Sequence, residues 1–253
     1  MKEIYTYQNV IDSMNFLKMS EMANYLNEVI KKNIDGDLSF LDALGYLLDQ
    51  QVRFKKENIF NACVKVSHFP FIKTIEDYDF SFQPSINKHQ IMDLCTLRFM
   101  EFNENVLFVG TPGTGKTHLS TSIGIEAARN SKSTYFITCK DLLWQLNKAA
   151  KENTLERRLK HFYSYSLLII DELGHDVINA EDANHLFQLL QMRYEKHSTI
   201  ITTNYNIKDW NKIFPDSYNE LDAMLDRFLH HVQIVTINGK SYRRKDLSEY
   251  WSD

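Results

Sequence analysis

Glycine is scarce in this 253-residue chain: there are 8, where average usage would give roughly 18. Three of the eight, Gly110, Gly113 and Gly115, fall within six positions, so backbone freedom is concentrated at one place. Cysteine is limited to Cys63, Cys95 and Cys139, spaced 32 and 44 residues apart. That spacing fits no metal or redox motif, and three free thiols in a reducing cytoplasm are expected. No apolar run approaches the ~20 residues that span a bilayer, and Met1-Lys2-Glu3-Ile4 opens no secretory leader, so no membrane association is expected. A strong positive charge is also missing. Lys+Arg 29 against Asp+Glu 33 gives −4, which argues against a monomer that holds nucleic acid tightly and constitutively. What remains, 43% hydrophobic and 25% charged residues, is ordinary globular composition.

Two rhythms divide the chain. Residues 9–32 carry Val10, Met14, Leu17, Met22, Leu26, Val29 and Ile30 at helical spacing. Turn residues at 33–37 follow, and Ser39 with Asp42 reads as the start of a second helix running towards residue 66. This predicts a helical module over 1–66, with 8 basic against 9 acidic residues. Packing, oligomerisation or partner docking would all suit it. Pro70 and Pro84 then bracket an irregular connector over 67–86. From Asn87 helices and strands alternate to the end, which predicts an α/β domain over 87–253: a parallel sheet with helices on both faces. Helices are expected at 87–100, 116–129, 140–150, 154–162, 180–195 and 218–230. Strands are expected at 106–109, 134–138, 167–170, 199–203 and 232–237.

The glycine cluster lies in GTPGTGKT, residues 110–117, directly after an apolar strand and opening a helix. This is the phosphate-binding loop pattern: glycines let successive N–H groups turn inward, and the helix N-terminus adds positive potential. Gly110, Gly113, Thr114, Gly115, Lys116, Thr117 and His118 are the candidate nucleotide contacts. Lys116 can reach the β and γ phosphates of ATP, and the Thr117 hydroxyl can ligate Mg²⁺. LLIIDE, residues 167–172, has the form of a Walker B strand. Asp171 is the candidate for the Mg²⁺ shell, and Glu172 for orienting or deprotonating the attacking water. Asn204 ends another β-rich run, where its amide could bond the γ-phosphate or that water. Between Lys132 and Phe162 seven basic residues face three acidic ones, +4 within a −4 protein. Arg157, Arg158 and Lys160 in that segment are candidate DNA phosphate contacts; a solvated helix face is the competing reading. Arg243-Arg244-Lys245 forms a second basic knot.

The connector FPFIKTIEDYDF (69–80), together with LERRL (155–159), IDELG (170–174), LDRFLHH (225–231) and GKSYR (239–243), resembles the IstB-type ATPases. These are transposition helper proteins related to the DnaC/DnaA clade of AAA+ proteins. The resemblance implies an AAA+ P-loop core with ATP between protomers of a homo-oligomer. Asn204 would be sensor 1, Arg227 an arginine finger donated to the neighbour, and Arg243 a sensor 2 residue. It also implies assembly on duplex DNA with ATP, deformation of that DNA, and activation of a partner transposase. The family's helical insertion falls near 140–162. Two features depart from the family pattern. Asp171-Glu172 stands where members often carry two aspartates, which favours hydrolysis, and residues 51–68 are less basic than usual. A helicase loader of the DnaC type shares the core and is the alternative. A small-molecule kinase is disfavoured, because Glu172 suits activation of water and no acceptor-binding lid is evident.

Overall fold

The computed structural model describes residues 5–34, 38–216, 228 and 230–242. The chain divides into two compact units, Met1–Ala62 and Cys63–Asp253.

The first unit is helical. The single helix expected over 9–32 is two, α1 (Tyr7–Phe16) and α2 (Ser20–Ile34), because Lys18 adopts a left-handed φ of 56° between them. Apolar spacing continues through the break, which is why periodicity alone does not reveal it. Helix α3 (Phe40–Val66) begins as expected, with Ser39 Oγ accepting from the Asp42 N–H at 3.2 Å. Met22, Leu26 and Val29 of α2 pack on Ala43 and Leu47 of α3. The buried Gln51 side chain satisfies the start of α2, its Oε1 accepting from the N–H groups of Glu21 and Met22 at 3.0 and 3.4 Å.

In the second unit, the connector is irregular apart from one 3-10 turn at Ile75–Asp77. The expected helix over 87–100 is broken into α4 (Lys88–Cys95) and α5 (Arg98–Glu101) at Leu97, whose φ is 64°. Strand β1 (Asn105–Gly110), α6 (Lys116–Arg129), β2 (Thr134–Thr138), α7 (Cys139–Lys151), α8 (Leu155–Tyr163), β3 (Leu167–Leu173), α9 (Ala180–Arg193), β4 (Ser198–Thr203) and β5 (Val232–Ile237) follow. The helix expected over 218–230, with Arg227, lies almost entirely outside the described residues, and so does Arg243.

The five strands form one parallel sheet in the order β2-β3-β4-β1-β5. Successive side chains on a strand point to opposite faces, and here both faces are covered. Leu107 and Val109 meet Leu142, Leu146, Phe162 and Leu186 on one side. Val106 and Phe108 meet Ile91, Leu94, Leu119 and Ile123 on the other. Two-sided burial makes β1 and the first part of β3 read as continuous apolar runs. Parallel pairing sets the C-terminal ends of β1, β3 and β4 along one side of the sheet.

Candidate functional site

Beyond the end of β1 the chain turns through Gly113 and Gly115, with φ of 80° and 97°, conformations that L side chains rarely adopt. Gly115 directly precedes the first residue of α6. Lys116 is buried, and its Nζ donates to Gly110 O at 2.7 Å, Thr111 O at 3.0 Å and Asn204 Oδ1 at 2.8 Å. The ammonium therefore spans the ends of β1 and β4. Thr117, one residue further along α6, turns its hydroxyl towards β3 and donates to the Asp171 carboxylate, at 3.1 Å from Oδ1 and 3.0 Å from Oδ2. Thr202 of β4 donates to Asp171 Oδ1 at 2.6 Å. Burial holds the Asp171 carboxyl above the usual carboxylate range, opposed by the hydrogen bonds from Thr202 and Thr117.

Glu172 is oriented differently. The β3–β4 register shifts between Ile170 and Leu173, and Glu172 takes a left-handed φ of 62° while its N–H donates to Thr202 Oγ1 at 3.0 Å. A non-glycine residue held there is strained, a feature that clusters at functional sites. The bulge separates two neighbouring acids by environment: Asp171 is buried, and Glu172 is exposed on the wall of a cleft of about 310 Å³. Gly113, Thr114, Lys116, Thr117, His118 and Asn204 also line that cleft.

Sequence reasoning missed one wall of the site. Tyr78, in the connector, donates its hydroxyl to Thr114 O at 2.9 Å, and burial pushes its pKa up to about 12. A Cβ on Gly115 would lie 2.5 Å from the Tyr78 ring. His118 Nε2 is 3.0 Å from Thr74 O, and its ring packs edge-on against Tyr78 and Phe71. The chain after β5 closes the loop from another direction. The Tyr242 N–H donates to Gly113 O at 2.8 Å, Gln83 Nε2 donates to Lys240 O at 2.6 Å, and a Cβ on Gly113 would collide with Ser241. The bareness of Gly113 and Gly115 thus serves contacts with Ser241 and Tyr78, as well as the turning of the loop. Only the family-like strings at 69–80 and 239–243 signalled these segments, and neither names a contact.

The residues present suit a nucleotide with a magnesium ion. The cation takes oxygen ligands, keeps several waters and commonly uses one or two protein groups with phosphates. Thr117 Oγ1 and Asp171 provide such a pair at the mouth of the loop. No group of three His, Cys, Asp or Glu suited to a metal occurs among the described residues, and this mode of binding does not require one.

Arg157 and Arg158 line a separate groove of about 440 Å³ between α7 and α8. Lys160 does not line it, and pairs with Glu156 at 2.6 Å on an exposed surface.

Sheet order, glycine loop and strand-end acids together define a P-loop protein of the AAA+ fold. The same fold occurs in AMPPCP-bound DnaA from Aquifex aeolicus, at TM-score 0.55 and 19% identity over 70% of this chain and 54% of that one. It occurs also in DnaI, at TM-score 0.56 and 17% identity over 65% and 90%. Within that class the chain belongs to the IstB-like ATP binding protein family, whose model matches residues 13–250. It is 49% identical to the protein assigned as the ATP-binding protein of insertion sequence IS232 in Bacillus thuringiensis subsp. berliner, over 95% of this chain and 96% of that one. It is 36% identical to the corresponding IS21 protein of Pseudomonas aeruginosa, over 91% and 86%. Among the described residues no helix is long and apolar enough to cross a membrane.

Proposed function

We propose that this insertion-sequence ATP-binding protein is an ATPase that assembles on duplex DNA with ATP and assists a partner transposase in capturing its target. The observation that carries the reading is the junction of three strand ends: Lys116 bonded to Asn204, and Thr117 bonded to Asp171, with Glu172 turned out beside them. In this reading Lys116 and the loop N–H groups hold the phosphates, and Asn204 positions the terminal one together with Lys116. Magnesium, when bound through Thr117 and Asp171, supplies charge neutralisation at the phosphate oxygens. Glu172, anchored through its N–H on Thr202 and exposed in the cleft, orients the attacking water and accepts its proton. Arg227 completes the site of a neighbouring protomer, and Arg243 contacts nucleotide in its own. Both roles rest on the family resemblance, as does the transposase partner.

DNA binding is assigned to the α7–α8 face. A −4 chain with a +4 segment binds weakly as a monomer. ATP-driven stacking sets several such segments along one duplex, and weak contacts then act jointly.

The test separates binding from turnover. Lys116→Ala is expected to abolish ATP binding. Glu172→Gln is expected to keep ATP affinity within a few-fold and to lower phosphate release by at least ~100-fold, the lower end for a general base. It should also accumulate DNA-bound protein in a mobility-shift assay with ATP. Unchanged turnover in Glu172→Gln would move the catalytic carboxylate elsewhere, and tight DNA binding without nucleotide would contradict assembly through ATP.

A further inference from the structure

The groove between α7 and α8 contains a side chain that phosphate binding does not explain. Trp144 is 62% exposed on α7, although that helix buries Leu142, Leu143 and Leu146 on its other side. One turn further along α7, the Lys148 ammonium lies 5.5 Å from the centre of the indole ring. Across the groove α8 presents Arg157, Arg158 and His161. His161 is fixed by rings of Tyr135 and Tyr165 packed edge-on, so this wall is held in place. Among the described residues, Glu152 is the single acidic one lining the recess.

We infer that this groove holds one unstacked nucleotide of a DNA duplex, its base against Trp144 and its phosphate against Arg157 and Arg158. The inference rests on the DNA-binding reading of the α7–α8 face and specifies the form of DNA that it recognises. A flat aromatic surface flanked by cations is the arrangement used to stack bases and track a phosphate backbone. Among the described lining residues, Lys148, Arg157 and Arg158 against one glutamate favour a polyanion over an apolar protein surface. The recess, about 440 Å³, is on the scale of a small-molecule pocket, which suits a nucleotide and excludes a double helix. In a closed duplex, base faces are covered by their neighbours. A base reaches Trp144 only where a step has opened and the nucleotide has swung out of the stack.

The experiment compares two fluorescent duplexes of equal length, one fully paired and one with a short central mismatch bubble, titrated with the full-length protein and ATP. The wild type is expected to bind the bubble about tenfold more tightly, within the range for stacking one base on an aromatic side chain. Trp144→Ala should bring that ratio close to one, and Trp144→Phe should keep most of it. Arg157→Gln with Arg158→Gln should weaken both duplexes together. An undiminished ratio in Trp144→Ala, with the paired duplex still bound, overturns this inference and leaves the DNA-binding reading standing. Failure of the wild type to bind either duplex overturns both. Loss of ATP-dependent self-association by Trp144→Ala without DNA would assign the indole to a protein contact and overturn the inference.

Discussion

Gly115 and Arg193 illustrate two different constraints on single residues. Gly115 combines a φ of 97° with a Tyr78 ring 2.5 Å from where a Cβ would stand. Gly115→Ala must relax the turn or displace Tyr78, and backbone strain of this kind costs ~1–2 kcal/mol. A loss of ATP affinity of tenfold or more is expected in a nucleotide titration, together with a fall of roughly 2–8 °C in the thermal midpoint. Arg193 is 1% exposed. Its guanidinium donates to Thr199 Oγ1 and to the carbonyls of Phe162, Tyr163, Tyr165 and Ser198, at 2.6–3.1 Å. Burial pushes its pKa down to about 9, so it stays charged at neutral pH. It ties the end of α8 to the start of β4, at the opposite end of that strand from Asn204. Arg193→Met leaves these carbonyls without their donor and should cost roughly 3 kcal/mol, measured by urea denaturation, without a direct effect on the nucleotide contacts. The candidate site was legible where its signal is local. Lys116, Thr117 and Asp171 sit in short motifs with fixed roles. The left-handed Glu172 was not legible, because its conformation follows from a register shift against β4. Tyr78 was hidden because its partner Thr114 is distant along the chain.

Among the elements, β1, β2 and β5 and helix α6 follow the sequence pattern closely. Burial on both faces leaves β1 an almost unbroken apolar run, β5 at the sheet edge buries only Val235 and Ile237, and the glycine loop fixes the start of α6. Strand β3, expected over 167–170, runs on through its register shift to Leu173. Two expected helices are each broken at a single left-handed residue inside a helical pattern, Lys18 between α1 and α2 and Leu97 between α4 and α5. Neither is glycine, and the apolar spacing around each remains compatible with a continuous helix. Lys18 is exposed, so its replacement isolates the backbone effect. Lys18→Gly should stabilise the α1–α2 turn by about 0.5–1 kcal/mol, raising the urea midpoint of the helical unit. A lower midpoint would mean that the Lys18 side chain contributes more than its backbone conformation costs.

At the scale of the whole molecule, the proposed nucleotide cleft is lined by Lys116, Thr117 and Glu172 of one chain, and the proposed arginine finger belongs to the next. Mixing Arg227→Ala with Lys116→Ala protein should restore part of the ATPase activity that each lacks alone, since one supplies an intact loop and the other an intact arginine. An arginine finger contributes ~10³–10⁵ in turnover, so even a few per cent of mixed interfaces would be visible in a phosphate-release assay. A mixture as inactive as its parents would count against the shared site. The connector sets a limit on how far the chain can be shortened. A fragment starting at Asn87 would retain the glycine loop, both acids and Asn204. It would lack Tyr78 beneath Gly115, the Thr74 carbonyl beside His118, and Gln83 on the segment after β5. The smallest piece able to hold ATP as the full chain does therefore begins well before the first strand, and a boundary drawn by motif alone would yield a folded sheet with a loosened nucleotide loop.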